Sequence, residues 1–193
     1  MIPFMYRLVY CLLWPICHLI YPMVVSGREN IPAGACIICA NHSNYIDPLL
    51  LLYAFTLKNF LFTMSKKENM DLPVIGKIYK WCGAFPVERG SVDIKAVRTV
   101  YSLLKGGKKV VIFPEGTRTA VDNEQAGKSG AVRFAAKTQL PIVPVFITRG
   151  KRIFRRVKIN IGAPYRVELR APSEAAEETA ALMRRIFALG GEP

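Results

Sequence analysis

The sequence contains few of the residues that build metal centres. It has two histidines and five cysteines among 193 residues. Cys36 and Cys39 form a C-x-x-C pair inside the apolar run ACIICA, but no second cysteine pair or suitably spaced histidine completes a zinc site. We therefore expect no metal site, and we interpret the cysteines as core thiols in a reducing compartment.

Acidic residues are scarce relative to basic ones. The chain has 14 Asp and Glu against 27 Lys and Arg, so its formal net charge is +13. A positive field of this size favours anionic partners, which include nucleic acids, anionic lipid headgroups and acidic carrier proteins. Charge alone does not choose among them. Because 51% of the residues are hydrophobic and no tract is of low complexity, a disordered chain is excluded.

One long apolar run lies near the N-terminus, at residues 8–25. Its length approaches that of a bilayer-spanning helix, but Pro15 and Pro22 interrupt it. Its aromatic residues are of the kind found at the headgroup level of membranes. We therefore expect two short helices that lie in one leaflet, and we assign residues 1–26 to a membrane-association segment. The alternatives are a full span and a hydrophobic helix packed on the protein's own core.

The remaining residues alternate between short apolar runs and helical patterns. Strands are predicted at residues 35–40, 59–64, 84–87, 109–113, 142–148 and 157–161. The basic segment 65–68 is predicted to be a turn. Helices are predicted from residue 48 and at residues 74–81, 93–105, 130–138 and 173–189, the last with Ser173 as N-cap. This alternation predicts one α/β domain over residues 27–193, with a mostly parallel mixed sheet flanked by helices. Pro144 predicts an edge position or a bulge for its strand.

The most distinctive polar motif follows the first predicted strand, where residues 41–48 read NHSNYIDP. Folds of the α/β class place active sites beyond the carboxyl ends of strands. Asp47 can reach back to one ring nitrogen of His42, which leaves the other nitrogen free to take a proton from a hydroxyl. The alternative is that His42 caps the next helix and Asp47 is an ordinary carboxylate of its first turn. The motif alone leaves both interpretations open.

A second motif, FPEGTR, occupies residues 113–118 directly after a predicted strand. Its glycine lets backbone amides approach a ligand closely, and Arg118 offers a planar fork suited to phosphate. Residues 83–89, which read GAFPVER, end in Arg89, where a phosphate could also be bound. The position of FPEGTR after a buried strand disfavours a plain surface loop.

In order and spacing, residues 41–48, 83–89, 113–118 and 143–145 resemble the four motifs of the glycerolipid acyltransferases, typified by bacterial 1-acylglycerol-3-phosphate acyltransferase. The resemblance covers residues 27–148. It implies that His42 and Asp47 are the catalytic pair. It also implies a set of residues that bind the acceptor's phosphate: Arg89, Glu115, Gly116, Thr117 and Arg118, with Lys67 as a further contact. Pro86 departs from the family pattern, which has an apolar or β-branched residue there.

The resemblance further implies the reaction. A fatty acyl group passes from acyl-CoA or acyl carrier protein to the free sn-2 hydroxyl of lysophosphatidic acid, and phosphatidic acid forms for phospholipid biosynthesis. No metal and no cofactor are required. Since acyl thioesters are made in the cytoplasm, we expect the enzyme at an anionic membrane surface on the cytoplasmic face of the cell membrane, and we expect no nucleic acid partner.

Three alternatives stay open beside this interpretation. A remodelling acyltransferase of the same family would use another lysophospholipid. A serine hydrolase would need Ser43 or Ser129, and neither lies in a G-x-S-x-G motif. A non-catalytic basic membrane-binding module would account for the charge and for residues 151–158 (KRIFRRVK), which we interpret as a lead into a strand with a solvated or membrane-facing side. It would not account for the order of the motifs.

Overall fold

The elements of the fold come from a computed structural model, which describes residues 3–88 and 93–191. The strands in this part are β1 Met23–Ser26, β2 Cys36–Ala40, β3 Leu61–Lys66, β4 Ala84–Val87, β5 Lys109–Ile112, β6 Ile142–Ile147 and β7 Val157–Ile161. The helices are α1 Phe4–Ile20, α2 Asp47–Ala54, α3 Lys67–Met70, α4 Ile75–Trp81, α5 Ile94–Lys105, α6 Gly130–Thr138 and α7 Ala175–Ala188. Short 3-10 turns lie at Arg28–Asn30, Glu124–Ala126 and Pro172–Glu174.

The strands form one sheet in the order β1-β7-β6-β2-β5-β3-β4. Neighbouring strands are parallel except for β6 and β7, which are antiparallel. In the centre, Ile38 of β2 pairs with Val111 of β5 and with Val143 of β6. Every residue of β2 is buried, as expected for a parallel strand covered on both faces. The predicted α/β class with a mostly parallel mixed sheet is confirmed.

Two hydrophobic cores cover the two faces of the sheet, because successive side chains of a strand point in opposite directions. Ile38 points into the core that also contains Leu51 of α2 and the buried side of α1. Its neighbour Ile37 points into the opposite core, with Val100 of α5 and Leu182 of α7. The nearly unbroken apolar strands are therefore explained by burial on both sides.

The N-terminal run forms one helix rather than two, so the prediction of two short helices is wrong. Helix α1 continues through Pro15. Because proline has no N–H, the carbonyl of Cys11 loses its helical hydrogen bond, and both residues are exposed. Beyond them, Cys17 is buried against the core and holds the end of the helix in place. After Pro22 the chain enters β1, which lies within the segment 1–26 but pairs along its length with β7. Among the described residues, no helix is both long and apolar enough to cross a membrane.

The predicted edge position of the strand that contains Pro144 is also wrong, since β6 lies inside the sheet between β2 and β7. Pro144 keeps its place in the ladder with β2, opposite Cys39. Its carbonyl accepts a hydrogen bond from the Gly162 amide, just past the end of β7, at 2.8 Å. Pairing with β7 begins at Val145, so Pro144, which has no N–H to donate, lies just outside that ladder.

Two smaller predictions also fail. Ser173 is not the cap of the last helix, because Pro172–Glu174 forms a 3-10 turn and α7 begins only at Ala175. The basic segment 65–68 is not a turn, because β3 extends to Lys66 and α3 begins at the next residue.

Candidate active site

Three loops meet at one edge of the sheet. They follow the neighbouring strands β2, β5 and β6, which are parallel and therefore present their carboxyl ends together. The loops contain residues 41–46, 113–119 and 148–151. The side chain of Asn41 joins two of them, since it donates to the Ile147 carbonyl at 2.8 Å and accepts from the Ile147 amide at 2.7 Å. The start of the loop after β2 is thereby fixed to the end of β6.

His42 and Asp47 are in contact, as their spacing predicted. The ring Nδ1 of His42 lies 2.9 Å from Oδ2 of Asp47, and both residues are buried. Because the carboxylate accepts, Nδ1 donates, and Nε2 is left as the basic nitrogen. The imidazole stacks on the ring of Phe113, with the ring centroids 4.2 Å apart. His42 does not cap helix α2, whose N-terminus has no side-chain cap, so this alternative fails.

The Asp47 carboxylate is fully buried, and its hydrogen bonds converge on one oxygen, Oδ2. Besides His42, its Oδ2 accepts from the amides of Ser43 and Asn44, each at 2.8 Å. The ammonium of Lys151 lies 2.7 Å from Oδ1. Burial on its own would raise the pKa of Asp47, but the hydrogen bond from His42 and the charge of Lys151 together lower it below its ordinary value. Asp47 is therefore held as a carboxylate.

The FPEGTR loop clamps the backbone of His42 from both sides. Glu115 Oε2 accepts from the His42 amide at 2.8 Å, and the Thr119 amide donates to the His42 carbonyl at 2.9 Å. The other oxygen of Glu115 forms an ion pair with Arg149, which also contacts Asp122 and the Thr119 carbonyl. Burial raises the pKa of Glu115, while the contacts from Arg149 and the His42 amide oppose that rise. The loop thus sets the position of the histidine backbone.

A cavity of about 530 Å³ opens beside the imidazole. His42 lies in its wall, and most of the lining is apolar, contributed by residues such as Leu49, Leu52, Ile78, Val97 and Phe134. This volume lies within the range of small-molecule sites, about 300–1,000 Å³. The cavity can therefore hold an apolar ligand next to a basic nitrogen.

Three cationic residues line the same cavity, namely Lys66, Arg118 and Lys128. Arg118 stacks over the ring of Tyr45, with its Cζ 3.5 Å from the ring centroid. The side chain of Lys128 packs against Gly116. A Cβ atom at residue 116 would lie 2.7 Å from the lysine Cε. Gly116 also has a positive φ of 69°, so glycine is favoured here both by conformation and by space. Positive charge and a basic nitrogen thus face one cavity.

The other residues predicted to bind phosphate lie elsewhere. The side chain of Lys67 is exposed, pairs with Glu88 at 2.8 Å and does not line the cavity. Thr117 is exposed and does not line it either. Arg89 lies outside the described residues. The phosphate-binding roles of these three residues, and that of Glu115, stay predictions.

Three residues of the site were missed from the sequence, namely Lys128, Arg149 and Lys151. Arg149 and Lys151 follow β6 directly, so the convergence of strand ends could have indicated them. The run KRIFRRVK leads into β7, as predicted, and alternate residues of that strand are buried. Its first residue, Lys151, was not expected at the site, and its side chain is fully buried. Among residues 3–88 and 93–191, no group of three His, Cys, Asp or Glu side chains could hold a metal ion. That the reaction needs no cofactor stays a prediction.

Comparisons with known proteins give a consistent result. A model of the acyltransferase family matches residues 22–148. A 1-acyl-sn-glycerol-3-phosphate acyltransferase of Bacillus subtilis strain 168 is 34% identical over 172 residues, which cover 84% of this chain and 85% of that protein. A protein of the same name from Borreliella burgdorferi is 30% identical over 144 residues, which cover 72% of this chain and 57% of that protein.

A solved structure has the same fold. The crystal structure of PlsC, the 1-acyl-sn-glycerophosphate (LPA) acyltransferase of Thermotoga maritima, matches with a TM-score of 0.71 and 22% sequence identity. The match covers 97% of this chain and 81% of that chain. At this identity the likeness shows the fold alone.

Proposed function

The chain belongs to the acyltransferase family, and we propose that it transfers a fatty acyl group from an acyl thioester to the sn-2 hydroxyl of lysophosphatidic acid. One observation carries the proposal. The imidazole of His42, held by Asp47, lines an apolar cavity that also contains the cations Arg118 and Lys128. A base, an apolar volume and an anion-binding wall are what an acyl acceptor with a phosphate headgroup needs. The names of the relatives support this acceptor.

The first step is proton transfer from the acceptor hydroxyl to Nε2 of His42 as the oxygen attacks the thioester carbonyl carbon. Asp47 holds the ring through Nδ1 and stabilises the imidazolium that forms. The tetrahedral intermediate then collapses, the carbon–sulfur bond breaks, and the thiol leaves with the proton from His42. The products are phosphatidic acid and free coenzyme A or carrier protein.

The cationic side chains of the cavity wall position the substrate in this account. Arg118 can meet the acceptor phosphate with a planar pair of donors, while Lys128 adds a point charge beside Gly116. Together they would hold the hydroxyl at His42 and so lower the entropy cost of the reaction. In this account Glu115 positions the His42 backbone, because both of its oxygens are already engaged.

The proposed site of action is the anionic surface of the membrane on its cytoplasmic face. Helix α1 turns a row of exposed apolar side chains outward: Phe4, Leu8, Leu12, Ile16 and Leu19. The exposed Phe154 lies beside the end of this helix, since its amide donates to the Ile20 carbonyl at 2.7 Å. Exposed arginines at positions 152, 155 and 156 flank Phe154 and suit anionic headgroups.

A substrate panel tests the proposed reaction. Purified protein is supplied with radiolabelled acyl-CoA or acyl carrier protein as donor, and with lysophosphatidic acid, lysophosphatidylcholine or lysophosphatidylethanolamine as acceptor. We expect labelled phosphatidic acid from the first acceptor, and the faster donor identifies the physiological thioester class. A protein that acylates only the neutral-headgroup acceptors would instead be a remodelling acyltransferase. A protein that binds vesicles and transfers nothing would be a membrane-binding module.

A further inference from the structure

The ammonium of Lys151 contacts the carboxylate behind the proposed base. It lies 2.7 Å from Asp47 Oδ1 and donates to Ser43 Oγ at 2.8 Å. Its side chain is 0% exposed, and so is that of Asp47. Lysine is rarely buried to this extent unless its charge is paired. Burial lowers the pKa of Lys151, and the nearby Asp47 carboxylate opposes that effect.

Binding of the substrate phosphate does not explain this lysine. Lys151 does not line the cavity, whereas Arg118 and Lys128 do. Its buried ammonium is instead engaged by Asp47 and Ser43. A purely stabilising role is also a weak explanation, because a buried ion pair is often no more stable than apolar residues of similar volume.

The two oxygens of Asp47 divide the surrounding donors between them. Oδ2 serves His42 and two backbone amides, and Oδ1 faces Lys151. A cation on Oδ1 keeps the carboxylate ionised despite its burial and prevents it from rotating away from the imidazole. It also offsets part of the negative charge that His42 experiences.

We propose that Lys151 is a positioning residue for acyl transfer, which holds Asp47 ionised and oriented toward His42. This inference rests on the proposed function, in which His42 is the base. It also gives the Ser43 hydroxyl a role as the acceptor that holds the lysine ammonium, in place of the nucleophile of a serine hydrolase.

Other charged groups around the imidazole stay constant when Lys151 alone is changed. They are Asp47 and Glu115 in contact with His42, Arg149 behind Glu115, and Lys66, Glu88, Asp93, Arg118 and Lys128 on the cavity wall. A change in the titration of His42 after substitution of Lys151 therefore reports the loss of the lysine charge.

The test compares Lys151→Gln, which keeps a hydrogen-bond donor but loses the charge, with the same change at an exposed lysine of α6, Lys137→Gln. We expect Lys151→Gln to lower kcat about tenfold to a hundredfold, the effect of removing the partners that orient the ligands of metal centres, with KM for both substrates within about twofold. The acid limb of the kcat/KM profile moves to higher pH, because loss of a positive charge favours the imidazolium. Lys137→Gln behaves like wild type in kcat and in the pH profile.

Three results would overturn the proposal. They are an unchanged kcat, a rise in acceptor KM with kcat retained (which would make Lys151 a phosphate ligand), and a loss of activity without any shift of the acid limb (which would indicate a structural role). The double variant Asp47→Asn/Lys151→Met checks folding, because it leaves no unpaired buried charge. It should melt near wild type and be inactive.

A second readout does not depend on the substrate. The chain has only two histidines, so the imidazole of His42 can be followed by NMR titration against His18. We expect the titration midpoint of His42 to rise in Lys151→Gln and to stay unchanged in Lys137→Gln. If wild type transfers no acyl group to any acceptor, the proposed function fails, while this titration still supports or refutes the contact between Lys151 and the His42–Asp47 pair.

Discussion

Removal of the Arg149 side chain is the substitution outside the catalytic pair from which we expect the largest loss of stability. Its side chain is 12% exposed, and its guanidinium contacts the carboxylates of Glu115 and Asp122 together with the Thr119 carbonyl. Glu115 is 2% exposed, so the variant Arg149→Met leaves a carboxylate buried without its cation. The same carboxylate accepts a hydrogen bond from the His42 amide, so loss of Arg149 also disturbs the position of the histidine backbone.

The expected magnitude follows from the burial of this pair. Breaking a buried ion pair by removal of one partner costs about 3–5 kcal/mol in other proteins. For a chain of this size, 1 kcal/mol lowers the melting temperature by about 2–4 °C, so a loss of 3 kcal/mol corresponds to about 6–12 °C. We expect Arg149→Met to melt lower by at least this amount.

Thermal and urea unfolding followed by circular dichroism measure the effect. The matched control is Arg184→Met, which removes an exposed ion pair to Glu124, with the arginine side chain 51% exposed. Exposed pairs contribute under about 1 kcal/mol, so this control should melt close to wild type. The proposal that Arg149 and Glu115 hold the His42 backbone is refuted by either of two results. One is an equal loss of free energy of unfolding in the two variants, and the other is a free energy of unfolding of Arg149→Met within about 0.5 kcal/mol of wild type.

Three further predictions concern the substrate, the membrane and the core. Arg118→Met should raise KM for lysophosphatidic acid about tenfold to a hundredfold with little change in kcat, and an unchanged KM would exclude Arg118 as the phosphate ligand. Ile16→Ser on the exposed face of α1 should weaken sedimentation with anionic vesicles, whereas Ile94→Ser, an exposed position on the opposite layer, should not. At pH 7 a thiol reagent should label the exposed Cys11 rapidly and spare the buried Cys36 of β2, because burial raises the pKa of Cys36 to about 11; rapid labelling of Cys36 would contradict its burial.

The chemistry of the site could be predicted from local sequence wherever neighbours in the chain are also neighbours in space. His42 and Asp47 are five residues apart across one turn, and their contact is present at 2.9 Å. The family resemblance carried by residues 41–48 and 113–118 is confirmed by the match to the acyltransferase family. Apolar runs likewise predicted six of the seven described strands, and the signal is clearest in the central strands β2, β5 and β6, which are buried on both faces.

What could not be predicted depends on contacts between distant segments. Strand β1 continues the apolar run of α1 without a change of composition, and only its pairing with β7, across 134 residues from Ser26 to Asn160, makes it a strand. Lys151 belongs to a basic run whose local pattern is that of a surface. Its burial arises because β6 lies beside β2 and brings the residue to Asp47.

Acyl transfer by His42→Ala tests the central claim most directly. Wild type and variant are supplied with radiolabelled acyl thioester and lysophosphatidic acid, and circular dichroism and vesicle sedimentation confirm that the variant is folded and bound. General-base catalysis contributes about 10²–10⁴-fold, so we expect labelled phosphatidic acid to fall by at least about a hundredfold. A folded, vesicle-bound His42→Ala protein that forms product at the wild-type rate would contradict the assignment of His42 as the base.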